Sequence, residues 1–91
     1  LRVRFLGHLK NVFDDGLMSL SGVGGRRLRD VLSMVYDLLG KASNEIFDGS
    51  PDRVRSSIIL LVNEVSYDIL GLDYIVGEDD ELIFIPSVHG G

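Results

Sequence analysis

The chain has 91 residues, 45% apolar and 25% charged, with a formal net charge of −5 and no cysteine. That is the balance of a single globular domain, near the small end of chains that bury a core unaided. No apolar run approaches the roughly 18 residues of a membrane span, no disulfide or cysteine-ligated metal can form, and the acidic balance disfavours nucleic-acid backbones as partners.

Leu1, Val3 and Phe5 alternate with Arg2 and Arg4, the period-two pattern of a half-buried strand. Asp14-Asp15-Gly16 is turn chemistry leading into a second strand, Leu17 to Ser21, with Met18 and Leu20 facing inward. Ser21-Gly22-Val23-Gly24-Gly25 breaks that strand. From Arg26 to Leu39 the apolar period lengthens, and Leu28, Val31, Leu32, Val35 and Leu39 line one side of a helix. Gly40 supplies a stop, whereas no Ser, Thr, Asp or Asn stands just before Arg26 to cap the start. Lys41 to Arg55, built around Gly49-Ser50-Pro51-Asp52, has little periodicity and reads as a long surface loop. Ser57 to Val62 is the strongest strand candidate. Asn63-Glu64 then reads as a two-residue hairpin turn into Val65-Ser66-Tyr67, although Glu tolerates positive φ poorly. Gly77-Glu78-Asp79-Asp80 is a further turn, and Glu81 to Pro86 the last strand.

A small sheet with one long helix is an α+β arrangement in which the helix crosses one sheet face and supplies the core. With the first and last strands adjacent at the centre, the element order is that of a β-grasp. The expectation is a mixed sheet of four to five strands in a single domain over 1–91, ending in a flexible tail over 87–91. Alternation sharpens this. Leu82 and Phe84 share one face with Ile58, Leu60 and Val62, while Ile83 and Ile85 share the other with Ile59 and Leu61. One helix covers one face, so the second presents Ile59, Leu61, Ile83 and Ile85 with Arg2 and Arg4 beside them. At roughly 1.5–3 kcal/mol per buried aliphatic side chain, these four suffice to anchor a protein partner. Cover by the long loop, or by a second copy of the chain, is the competing reading.

Other candidate sites have plainer readings. His8 is read as a surface residue. Glu78-Asp79-Asp80-Glu81 is read as a solvated turn, without the spaced oxygen ligands of a calcium loop. Gly22-Val23-Gly24-Gly25 lacks the Lys-Ser/Thr of a phosphate loop, and the serines have no evident base partner. Neither a metal nor a bound cofactor is expected. The chain stops at Val88-His89-Gly90-Gly91, and a Gly-Gly end, free of Cβ atoms, can thread a narrow active site. Ser87 to Gly91 reaches about 17 Å at ~3.3 Å per residue. Its terminal carboxylate is ionised at neutral pH and a poor electrophile, so chemistry on Gly91 requires activation. For His89, tail solubility is a plainer role than acid–base chemistry.

Four stretches resemble the ubiquitin-like sulfur carriers: Leu61-Val62-Asn63-Glu64, Gly71-Leu72-Asp73, the Gly77 to Glu81 turn, and Phe84-Ile85-Pro86-Ser87-Val88-His89-Gly90-Gly91. That group includes the small subunit of molybdopterin synthase and the thiamine-pathway carrier. The His-Gly-Gly ending is closer to the ubiquitin-related modifier that serves tRNA thiolation. The motif likeness runs from Leu61 onward, and the preceding residues match in element order. Ser87 stands where the synthase subunit usually has a second proline, and Glu78-Asp79-Asp80 replaces an Asp-Gly-Asp turn. The residues before Gly-Gly are not basic as they are in ubiquitin.

The resemblance implies a carrier protein and not an enzyme. Its Gly91 carboxylate would be adenylated by an ATP-dependent activating enzyme, which uses ATP and Mg, and converted to a thiocarboxylate for molybdopterin or tRNA thiolation. The alternative is a modifier joined through Gly91 to lysines of target proteins, and a plain β-grasp interaction module is the third reading. Val88, His89 and Gly90 would be recognised along the enzyme's channel, and Ile59, Leu61, Ile83, Ile85, Arg2 and Arg4 would dock on that enzyme. A sulfur-acceptor enzyme is the second partner. No direct nucleic-acid or membrane contact is expected, and the cytoplasm is the expected compartment.

Overall fold

The computed structural model describes residues 1–87. Its strands are β1 (Arg2–Phe5), β2 (Leu17–Ser19), β3 (Ile58–Val62), β4 (Val65–Ser66) and β5 (Glu81–Pro86), joined by helix α1 (Leu28–Leu39) and the single-turn α2 (Tyr67–Leu70). They form one sheet in the order β2-β1-β5-β3-β4. β1 and β5 run parallel at its centre, with Val3 beside Leu82 and Phe5 beside Phe84, and every other pair is antiparallel. A parallel pair needs a crossover, and α1 supplies the helical part of it. This is the expected β-grasp, with five strands.

The five apolar positions of the helical stripe, Leu28, Val31, Leu32, Val35 and Leu39, are all buried. They join Val3, Phe5, Leu60, Val62, Leu82 and Phe84 in one core. The Phe5 and Phe84 rings stack at 5.2 Å between centroids. α1 starts at Leu28, two residues later than its periodicity suggested, and Arg27 offers no side-chain cap. The helix's free amides are met from afar instead: Leu28 N–H donates to the Tyr74 carbonyl at 2.7 Å and Arg29 N–H to that of Leu72 at 2.9 Å.

Residues 41–55 are not the plain surface loop expected. Ile46 and Phe47 are fully buried, and the Phe47 ring meets both Tyr36 (5.5 Å) and Phe84 (6.1 Å) edge to face. Asp48 N–H donates to the Arg53 carbonyl and Arg55 N–H to that of Ile46, so Gly49-Ser50-Pro51-Asp52 tips a small irregular hairpin. An isolated apolar pair has no period to detect. Tyr67 also departs from the expected strand. The Ser66 hydroxyl accepts from the Asp68 amide and caps α2, so the chain turns helical after two strand residues.

The Asn63-Glu64 turn forms as expected, with φ of 49° and 71°. Both lie in the left-handed region that two-residue hairpins demand, and Glu carries a Cβ penalty there that Gly escapes. We therefore expect Glu64→Gly to raise the unfolding free energy by about 0.5–1 kcal/mol, measured by urea denaturation. An unchanged or lower midpoint would contradict that account of the turn. Gly16 is constrained more sharply: its φ is +85°, and a Cβ there would lie 2.6 Å from the Phe5 carbonyl oxygen.

Candidate functional site

Cross-strand register builds the open sheet face. Leu17, Arg4, Ile83 and Leu61 stand side by side across β2, β1, β5 and β3, and Ile85 pairs with Ile59 in the neighbouring row. On the other side of the first row, Arg2 lies beside Glu81 and pairs with it at 3.2 Å. Ile59 is 44% exposed and Leu17 50% exposed, while Leu61, Ile83 and Ile85 are half-buried. The six residues anticipated for partner contact are thus brought onto one face, and no described residue caps Ile59 or Leu17. Leu17 is an addition. Its signal was present in the alternation that sends Met18 and Leu20 inward, and it extends the apolar strip to the β2 edge.

β5 carries this face and leads into the C-terminal residues. Its entry is fixed by the turn before it, which does more than the solvated turn expected. The Glu78 carboxylate accepts from the amides of Gly22 (2.8 Å), Val23 (2.9 Å) and Gly24 (2.8 Å). The glycine loop is therefore an anion-binding nest of the kind phosphates use, filled by the protein's own side chain. The Asp80 carboxylate accepts from Asn63 Nδ2 (2.8 Å), the Tyr74 hydroxyl (3.0 Å) and the Gly77 amide (2.8 Å). Asn63 Oδ1 in turn accepts from the Glu81 amide at 3.0 Å, linking the β3–β4 hairpin to the first residue of β5.

The amides of Gly22 and Gly24 lead the effects that hold the Glu78 carboxyl below its ordinary range, against a smaller opposing pull from burial. For Asp80, burial pushes upward most strongly, but the Gly77 amide, Asn63 and Tyr74 together outweigh it and the net shift is downward. The hydrogen bond to Asp80 leads the causes that raise the Tyr74 hydroxyl. A carboxyl with a depressed folded pKa contributes stability that is present above its unfolded value, about 4, and lost as pH falls through the folded one. The melting temperature should therefore hold steady above about pH 5 and fall below about pH 4. The double variant Glu78→Gln/Asp80→Asn should start lower and fall less steeply. An equal slope in both proteins, read by thermal denaturation across that window, would rule out these carboxylates as the source.

At the other end of β5, the Ser87 amide donates to the Ser57 carbonyl at 2.7 Å, continuing the sheet by one residue into the segment assigned to the tail. Val88, His89, Gly90 and Gly91, the expected reaction and recognition residues, lie outside the described residues. His8 is exposed, as anticipated, in a 3₁₀ segment over Gly7–Val12. Among the described residues no cluster of His, Asp and Glu is grouped to hold a metal ion, and no helix is long and apolar enough to cross a membrane.

A family model described as Urm1 (Ubiquitin related modifier) matches residues 1–91. The chain belongs to that family. The Ubiquitin-related modifier 1 of Schizosaccharomyces pombe is 31% identical over 98 residues, covering 100% of this chain and 98% of that protein. The solution structure of small archaeal modifier protein 1 (SAMP1) from Methanosarcina acetivorans superposes with a TM-score of 0.78 at 25% identity, over 99% of this chain and 94% of that one. A chain of the Amycolatopsis orientalis BexX/CysO complex shares the fold, with a TM-score of 0.74 at 17% identity over 99% and 98% of the two chains. As a Urm1-type protein the chain is a ubiquitin-like sulfur carrier and modifier, and not itself a catalyst.

Proposed function

We propose that the chemistry of this Urm1-family chain is carried by the Gly91 carboxylate, and that an ATP-dependent activating enzyme docks on the open sheet face to reach it. The observation that carries the proposal is the dual use of β5. One central strand displays Ile83 and Ile85 outward and then leads directly into residues 88–91, so gripping that strand aims the terminus. Family membership supports a role with a partner enzyme, and the CysO neighbour, which belongs to a complex with BexX, supports docking of this fold on another protein.

In the reaction, a carboxylate oxygen of Gly91 attacks the α-phosphorus of ATP and pyrophosphate leaves, giving an acyl-adenylate. Magnesium bound with the enzyme's nucleotide would supply charge stabilisation there. A persulfide sulfur on the enzyme then attacks the carbonyl carbon and AMP departs. A second enzyme thiol cleaves the resulting S–S bond, leaving a thiocarboxylate on Gly91 and a disulfide on the enzyme. The chain holds no cysteine, so every sulfur comes from partners, and a reducing compartment such as the cytoplasm suits both proteins. Gly90 and Gly91 give steric access, and Val88 and His89 touch the channel wall. Delivery to a sulfur-acceptor enzyme completes the carrier cycle.

The family's description as modifiers favours a second outcome at the same carbon, in which a lysine amine of a target protein replaces sulfur. Intact mass spectrometry after incubation with the cognate activating enzyme, ATP and a persulfide donor tests both. An oxygen-for-sulfur exchange at Gly91 supports the carrier route, and a Gly91–lysine isopeptide supports the modifier. A terminus left wholly unmodified would overturn the proposal.

A further inference from the structure

Two short 3₁₀ segments, Gly7–Val12 and Gly40–Glu45, form the walls of a groove of about 490 Å³. His8, Asn11 and Val12 line one side, and Lys41, Ala42 and Glu45 the other. The volume lies within the roughly 300–1,000 Å³ of sites that hold small ligands, enough to seat a short stretch of extended chain.

The whole sequence contains two lysines, Lys10 and Lys41, and each sits on one of these two segments. Neither has a carboxylate within ion-pairing distance among the described residues. They are not equivalent. The stem of Lys10 is packed over Gly16, where a Cβ would lie 3.0 Å from the Lys10 Cγ. Lys41 follows Gly40 at the end of α1, is exposed, and lines the groove itself. In a molecule of net charge −5, the groove is lined by Lys41 and a single carboxylate, Glu45, which places a cation where the phosphate of an incoming acyl-adenylate would arrive. Leu9 and Val12 give the same groove an apolar lining that matches a valine side chain.

We infer that Lys41 accepts the C-terminal acyl group of a second copy of this chain, whose residues 88–91 are seated in the groove, giving a Lys41–Gly91 isopeptide dimer. The inference rests on the reading that Gly91 is activated, because that reading makes a copy of this chain the acyl donor for any lysine modified in this way. The neutral Nζ of Lys41 attacks the carbonyl carbon of the donor's Gly91 acyl-adenylate. A C–N bond forms and the C–O bond to phosphate breaks. AMP leaves with the electron pair, and the surplus amine proton passes to a groove base, with His8 and Glu45 both lining the site. No oxidant or reductant is consumed.

The test uses the full-length chain with its cognate activating enzyme, ATP and magnesium, followed by intact mass spectrometry and cleavage after glutamate. Because Glu81 is the last glutamate in the chain, that cleavage leaves residues 82–91 attached to the acceptor lysine. A dimer lighter than two chains by one water is expected, with the branch on Lys41. Lys41→Arg should lose it, and Lys10→Arg should keep it, since both variants retain charge and fold. Three results would overturn the inference: a dimer that persists in Lys41→Arg, a branch mapped to Lys10, or a monomer lighter by one water through internal closure. Absence of dimer in a sample whose Gly91 is found as thiocarboxylate, or on lysines of other proteins, would overturn it too. A Gly91 that never reacts would remove the activation reading, and this inference with it.

Discussion

Deleting Gly91 should abolish adenylation by the cognate activating enzyme while leaving the thermal unfolding of the domain unchanged. The two halves of that expectation come from different parts of the chain. Among the described residues every buried core residue lies between Leu1 and Phe84, so the deletion leaves that core intact. The carboxylate then moves to Gly90 and falls short by one residue, about 3.3–3.6 Å of chain. Reactions held in an attack geometry lose up to about 10²-fold for a displacement of a single ångström, so a shift of this size takes the carboxylate out of reach of the α-phosphorus. Gly91→Ala keeps the length and adds one Cβ, which should slow adenylation without ending it. Pyrophosphate exchange measures both variants. Normal exchange by the shortened chain would refute the role given to Gly91, whatever the state of the fold.

Much of the fold was legible because it depends on periods. The alternation of Val3 and Phe5, of Leu82 and Phe84, and the five-residue stripe of α1 each bury one face, and all of these residues are in the core. Three of the features that were not legible share one reason. Phe47 packs against Tyr36 and Phe84 from an aperiodic segment. α1 is capped by the carbonyls of Leu72 and Tyr74. The glycine loop is filled by Glu78, 54 to 56 residues away in sequence. Each is a tertiary contact with no local signature, and local pattern reports only what neighbouring residues share. The nest shows how such a contact changes a functional reading. Gly22-Val23-Gly24-Gly25 lacked the companions of a phosphate loop, and the structure shows three of its amides serving an internal carboxylate that orders the entry to β5. The open face was readable for the opposite reason, since strand parity alone assigns Ile59, Leu61, Ile83 and Ile85 to it. The chemistry proposed for the tail rests on residue identity and family, not on geometry.

Replacing Ile83 and Ile85 together by Asp should lower affinity for the activating enzyme by about 10²–10⁴-fold. Two aliphatic side chains contribute roughly 1.5–3 kcal/mol each when buried at an interface, and every 1.4 kcal/mol is about tenfold in affinity. The fold should survive the change. Both side chains are half-buried and lie on the face opposite the core, and the unfavourable strand preference of Asp is a matter of about 1 kcal/mol or less per site. An aspartate at 83 would also stand beside Arg4, a compensating neighbour for the isolated chain. Far-UV circular dichroism should therefore match the parent protein while titration calorimetry with the enzyme shows little heat. Ile69→Asp is the matched control, because Ile69 is 78% exposed on α2 and lies outside the strip, and it should bind as the parent does. Should the double variant bind normally and Ile69→Asp bind poorly, the enzyme would be gripping the β4–α2 edge. If instead the double variant alone sediments as a smaller species, the strip is a contact between copies. A loss of binding confined to the double variant, with unchanged sedimentation, leaves β5 as the strand that the enzyme holds while its nucleotide meets Gly91.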